Sequence, residues 1–405
     1  MIAYLSIAVK NYAAHYAGLP KACWEGIILT LINAISVGIY FFLSLYFVDI
    51  LHMDIATAGI LISCYGFGTI TGGIIGGKLS DLISPRLISI ISLLFQALTY
   101  FLLAKLSSIE LLMLNLFMQG AASYGFKISN NVWMLSQCTQ SSLRAKTINM
   151  VYVASNLGFG ISGILLGIFT QYGFNFIFNL SSTLLFLAAL YLIYQRTLTL
   201  SSNEKTIVEN KFDQPIIPSR KIDRYIVTLI LICLFAVGLI IAQLSATYPV
   251  YVQDAFPKLG VKAVSILFIL DTVLIVLFQA PLANYLNRYN KILLVGIGAL
   301  FMGFGMLILS FSFVFTLALL SCVIWTTGEM IFMSNAQLVC YEKGAEKKKG
   351  QALGVYQATY AASTIIGPSI GGYIYHALGG NMLWYISAVI GVLCFLACNY
   401  CKKYS

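Results

Sequence analysis

Residues 201–224, SSNEKTIVENKFDQPIIPSRKIDR, form the only long polar insert in a chain otherwise built for hydrocarbon. Of the 405 residues, 60% are hydrophobic and only 9% charged, against about 25% charged in an ordinary soluble domain. Apolar runs of ~20 residues, each long enough to cross a ~30 Å hydrocarbon layer as a helix, recur on both sides of the insert. They place twelve spans at 23–47, 55–76, 86–105, 110–137, 147–170 and 175–195 before it, and at 224–249, 263–283, 292–311, 315–338, 351–376 and 382–401 after it. The period-two alternation of a membrane barrel is missing. The expected fold is an all-α integral membrane protein of two six-helix bundles, 23–195 and 224–401. A cytoplasmic linker at 196–223, an N-terminal segment at 1–22 and a tail at 402–405 complete it.

The formal net charge of +10 does not signal nucleic acid, because the basic residues follow a topology. With the N-terminus inside, only Lys105, Lys258 and Lys262 of the 24 Lys and Arg fall on the outer side, and only Lys127 lies within a span. The positive-inside rule therefore expects both termini in the cytoplasm. The first 22 residues carry no leader pattern, so no cleavage is expected. The nine cysteines are scattered and odd in number, and no disulfide framework follows. Cys394, Cys398 and Cys401 lack an accompanying His and are expected to pack rather than bind metal. His15, His52 and His376 lie outside the core and are assigned no chemistry. No catalytic constellation, metal site or cofactor is expected.

A weak internal repeat supports the two halves. At an offset of roughly 204 to 205 residues, Tyr152 meets Tyr356, Gly163 meets Gly367 and Gly167 meets Gly371, while Tyr46 and Asp49 meet Tyr251 and Asp254. Repeated six-helix bundles are a transporter plan, with a central site alternately exposed to either side.

At the turn between spans 2 and 3 stands GGKLSDLISPR, residues 76–86. It resembles the signature loop of the major facilitator superfamily through Gly77, Leu79, Asp81 and Arg86, with Leu82 and Ser84 departing from the pattern. The second-half loop APLANYLNR keeps Leu282 and Arg288 but has Asn284 in place of the acid. The resemblance implies that Gly77, Asp81 and Arg86 gate the inner side; an acid there can cap a neighbouring helix N-terminus. Gly158, Gly160, Gly163 and Gly167, with Gly367, Pro368, Gly371 and Gly372, resemble the superfamily's antiporter motif, although span 5 lacks the proline. Gly163, Gly167, Gly367, Pro368 and Gly371 are expected at close helix contacts. GFKISNN in span 4 and TTGEMIFMSNA in span 10 are similar to segments of proton-coupled oligopeptide transporters, in which a Lys and a Glu line the cavity. That likeness implies cavity roles for Lys127 and Glu329. The same family's span 1 E-x-x-E-R is absent, since Ile32 and Asn33 stand there, and drug:proton antiporters share much of the rest.

The residues themselves agree on where the expense lies. Only Lys127, Asp271 and Glu329 are charged deep within spans, where a charge costs roughly 2.5–3.5 kcal/mol on insertion scales. Lys127 is about ten residues, or ~15 Å, from the inner end of its span, beyond the reach of a snorkelling stem. Asn115, Gln119, Ser123, Lys127 and Asn131 recur at every fourth position, making a stripe that must avoid lipid. Glu329 occupies nearly the equivalent depth in the other half, and the two are expected to face each other, directly or through substrate. Asp271 is a second candidate proton carrier. Asn33, Tyr40 and Ser36 on span 1, Gln243 and Thr247 on span 7, and Trp325 beside Glu329 complete the expected cavity faces.

The expected function is a monomeric, proton-coupled secondary transporter of a small charged or amphoteric organic solute in a bacterial inner (plasma) membrane. Lys127 would hold an anionic group, Glu329 and Asp271 would exchange protons, and the substrate shell would include Asn131, Asn33, Tyr40, Gln243 and Trp325. Export in exchange for protons is the runner-up, followed by a non-transporting sensor built on the same fold. An enzyme is not expected.

Overall fold

The structure is a computed structural model that describes residues 18–43, 46–53, 55–169, 172–201, 221–244, 246–259, 261–345 and 348–404. The expected linker thus lies mostly outside the described residues, as do residues 1–17 and the side chain of Asp49. The helices are α1 Lys21–Val37, α2 Ile55–Leu82, α3 Pro85–Leu103, α4 Ile109–Ser136, α5 Ser141–Phe169 and α6 Phe174–Ser201, followed by α7 Lys221–Gln243, α8 Thr247–Ala255, α9 Val261–Leu286, α10 Lys291–Ser310, α11 Phe315–Lys343, α12 Lys349–Leu378 and α13 Gly380–Cys401. No strand occurs among the described residues.

Local chemistry sets several boundaries. Pro85 opens α3 at a position whose N–H needs no helical partner. The Asn290 side chain accepts from the N–H groups of Ile292 and Leu293 and starts α10. Gly379, at φ 85° and ψ 158°, joins α12 to α13 through a backbone region open essentially to glycine alone. The expected single span 224–249 is instead broken: α7 stops at Gln243 and α8 starts at Thr247. Pro249 explains the break, since proline is tolerated in a first turn but not in a helix interior. Span 1 changes at the equivalent level, passing from α1 into a 3-10 turn at Gly38–Phe42.

Among the described residues, ten helices are long and apolar enough to cross a membrane. The two other long ones, α4 with 28 residues and α12 with 30, carry polar residues into the interior. Outward-facing Phe67, Ile74, Leu187, Ile232, Ile269 and Leu393 are exposed, as a lipid-facing surface requires. The stripe on α4 turns inward: Asn115, Gln119, Ser123 and Asn131 are all buried.

Packing repeats between the two sets of helices. Helix α1 lies against α5 as α7 lies against α12, α2 against α4 as α9 against α11, and α3 against α6 as α10 against α13. The sets meet through α2 with α12, α5 with α9 and α11, and α4 with α12. Small residues permit the tightest approaches. A Cβ at Gly68 or Gly72 would strike the backbone of Phe117 or Ala121, and one at Gly298 the backbone of α11. Of the glycines expected at contacts, Gly367 meets Ala242 and Gly371 meets Gln243, whereas Gly163 faces open space. On α5 it is Gly158 that takes the close contact, against Ala34 and Leu31. Pro368 lies inside α12, and the surroundings of Gly167 lie outside the described residues.

Gly72→Val should therefore overpack the α2–α4 contact and destabilise the purified protein by about 1–3 kcal/mol, whereas Gly163→Ala should leave its melting temperature unchanged or slightly raised. Comparing the two thermal midpoints in one detergent checks this.

Candidate functional site

Two of the three intramembrane charges meet, and the third stands apart. Glu329, on α11, accepts a 2.6 Å hydrogen bond from the Tyr152 hydroxyl of α5, a contact that joins the two sets of helices. Asp271, on α9, accepts a 2.8 Å bond from Thr326 of α11, one turn from Glu329. The two carboxyl groups are near enough to interact electrostatically. Tyr360 on α12 lies within electrostatic reach of both Glu329 and Tyr124. The Lys127 ammonium lies 5.1 Å from the Tyr124 ring centre. Next to these rings, Tyr40 stacks on Tyr65 at 4.1 Å.

Lys127 and Glu329, expected to face each other directly or through substrate, form no direct pair: among the described residues the ion pairs are Arg86–Glu25, Arg144–Glu342 and Lys343–Asp223. Glu329 is taken up by Tyr152, and Lys127 has no acidic partner. A cation held in the interior of a membrane helix without an anion is costly unless water or a ligand reaches it.

Several residues expected at the cavity have partners within their own set of helices. Trp325 is 1% exposed, set edge-to-face with Tyr248 at 6.3 Å and pressed on Gly305 of α10, in one apolar cluster with Tyr248, Leu267 and Trp384. Asn33 donates to Gln96 on α3 at 2.8 Å. Gln243 donates to the Gly367 carbonyl and accepts from Thr247. Asn131 is buried in the stripe, and its neighbour Asn130 donates to the Gly26 carbonyl and Thr30 of α1. Tyr124, Tyr152, Tyr360 and Thr326 were not expected from the sequence. The only signal was the Tyr152–Tyr356 repeat, and Tyr356 bonds merely the Met333 carbonyl.

At the end rich in Lys and Arg, the two sets of helices touch. Ile128, Val132, Leu135 and Ile148 form one apolar cluster with Leu338, Tyr341 and Leu353 across the interface. Asp81 accepts from the Gly350 and Gln351 N–H groups, both at 2.7 Å, and so caps the first turn of α12. Gly77 makes this possible, since any side chain there would meet Gly350 and Gly354. Arg86 pairs with Glu25 at 3.1 Å and lies 3.5 Å over the Trp133 ring, both in the first set of helices.

The family model of the major facilitator superfamily matches residues 26–350, and the chain belongs to that superfamily. It is an integral, multi-pass membrane transporter of that class. Over 382 residues it is 21% identical to the uncharacterized MFS-type transporter YqjV of Bacillus subtilis (strain 168), covering 92% of this chain and 91% of that one. Over 237 residues it is 25% identical to the uncharacterized MFS-type transporter YttB of the same organism, covering 56% and 57%. Among solved structures it resembles the human organic anion transporter MFSD10 (TETRAN), at 14% identity and TM-score 0.68 over 94% of this chain and 98% of that one. It also resembles a POT family transporter in complex with 5-aminolevulinic acid, at 15% identity and TM-score 0.69 over 95% and 96%. At these identities the structural likenesses establish the shared fold.

Asp81→Ala should strip the Gly350 and Gln351 N–H groups of their acceptor, at a cost of about 1 kcal/mol. Hydrogen exchange of that segment should accelerate, with Asp81→Glu closer to wild type than Asp81→Ala.

Proposed function

We propose that this chain is a proton-coupled secondary active transporter of a small anionic or amphoteric organic solute, working by alternating access. The observation that carries the proposal is Lys127, an ammonium inside the membrane region that no carboxylate of the described chain neutralises. Its counter-ion is the substrate's carboxylate or equivalent anionic group. Glu329 and Asp271 handle the coupling proton, and Tyr152 ties that event to the interface because its hydroxyl holds Glu329 across it. Changing the proton on Glu329 changes this bond, and with it the balance between closed and open arrangements.

The capped α12 turn and the apolar seal are the closed inner gate. The Lys and Arg distribution supports placing that end and both termini in the cytoplasm, with the chain, a monomer, in a bacterial plasma membrane. The helix sets 23–195 and 224–401 are the two rocking units. A second reading, export of a cationic compound in exchange for protons, draws on Asp271 and Glu329, two neighbouring acids that no Lys or Arg of the described chain pairs with.

The test is a thermal-shift screen of small carboxylates and amphoteric acids, 5-aminolevulinic acid included, followed by proteoliposome flux of each stabilising compound under an imposed pH gradient. Lys127→Ala should abolish stabilisation and lower flux at least tenfold. Glu329→Gln should retain binding but lose the response to the gradient. Stabilisation by lipophilic cations alone, unaffected by Lys127→Ala, would favour the export reading. Full flux and full pH response in both variants would end the proposal.

A further inference from the structure

The two helix sets meet through two interfaces related by the internal repeat, α2 with α12 and α5 with α9, and these are built differently. In the first, Gly73 and Gly77 lie directly on Gly354 and Gly350, and the Asp81 carboxylate fastens the end. In the second, the alignment that pairs Asp81 with Asn284 puts Val276 and Ala280 in place of the two glycines. Helix α9 has no glycine, and α5 has none before Gly158. The backbones cannot close to the same distance, and a long side chain spans the gap. Gln279, 1% exposed, donates from Nε2 to Asn149 Oδ1 on α5 at 2.6 Å, and the same nitrogen lies 2.9 Å from Ser334 Oγ and 3.3 Å from the Met330 carbonyl of α11.

We infer that Gln279 and Asn149 form a second inner latch, an uncharged counterpart of the Asp81 cap, whose closure is made reversible by the acceptors that Gln279 keeps on its own side. An amide nitrogen has two hydrogens and here faces three acceptors. When α5 and α9 part, both hydrogens remain satisfied by Ser334 and Met330, so opening orphans no buried donor. Gln279 Oε1, buried with no hydrogen-bond partner in this closed arrangement, gains water when the interface opens. The latch therefore holds the end shut by one neutral hydrogen bond while part of the same amide favours release. Gln279 and Asn149 are positioning residues: neither has a contact with Lys127, Asp271 or Glu329 among the hydrogen bonds described for them.

The inference rests on the alternating-access reading and is tested by hydrogen–deuterium exchange mass spectrometry of the full chain in nanodiscs, read at the peptide containing Gly350 and Gln351. These two N–H groups belong to the other interface, so a purely local defect at Gln279 does not move them. Gln279→Met, near-isosteric but without the amide, and Asn149→Leu should each speed exchange there about fivefold, the size that one net hydrogen bond supports. The double variant should be no faster than either single. Wild-type rates at Gly350 and Gln351 in both single variants would overturn the latch while leaving alternating access standing, and so would additive effects in the double. If those amides stay as protected as the helix interiors in every form, wild type included, the end never opens and both readings fall together.

Discussion

Hydrocarbon solvates neither a backbone amide nor a charge, and that constraint organises the whole molecule. It forces the chain into helices that satisfy their own hydrogen bonds, turns the polar stripe of α4 inward, and makes Lys127, Asp271 and Glu329 expensive wherever they are not held or wetted. Because lipid gives little drive for one helix to seek another, association depends on close contact. The glycines of α2, α4 and α10 accordingly sit where backbones touch. The interfaces between the two sets of helices add contacts of another kind to such glycines: a carboxylate on a helix terminus, an amide, a tyrosine hydroxyl, and one apolar cluster.

The Glu329–Tyr152 bond is central to this arrangement, because it ties a titratable group to the opposite helix set. Asp271 reaches the same place through Thr326 and the shared helix α11. The resulting acid cluster lies above the apolar seal and the Asp81 cap. Lys127 has no acidic partner among the described residues, so under the proposed function it is the group whose energetics a bound anion would alter most.

The fold was legible because span length and charge asymmetry are one-dimensional properties. Twelve apolar runs, one polar insert and the loop around Asp81 suffice for it. The break between α7 and α8 was written in Pro249 but hidden by the continuous apolar pattern around it. Lys127, Asp271 and Glu329 stood out because charges are rare in apolar runs. Their partners did not, because a helical period gives the face a residue occupies but not the helix that meets it. Asn33 and Gln243, expected on cavity faces, are buried, and their partners are Gln96 and the Gly367 carbonyl. Trp325 shares a helix with Glu329 but turns to α10. Tyr124, Tyr152 and Tyr360 are three among 25 tyrosines, amphipathic enough to sit anywhere in a membrane protein, and only tertiary contact distinguishes them.

The most direct measurement is infrared difference spectroscopy of the reconstituted protein with and without a carboxylate that stabilises it, following the carboxyl stretching region. The account predicts a ligand-induced carboxyl band in the wild type that disappears in Glu329→Gln, together with no ligand-induced spectrum in Lys127→Ala. An unchanged band in Glu329→Gln, or a wild-type spectrum from Lys127→Ala, would contradict it.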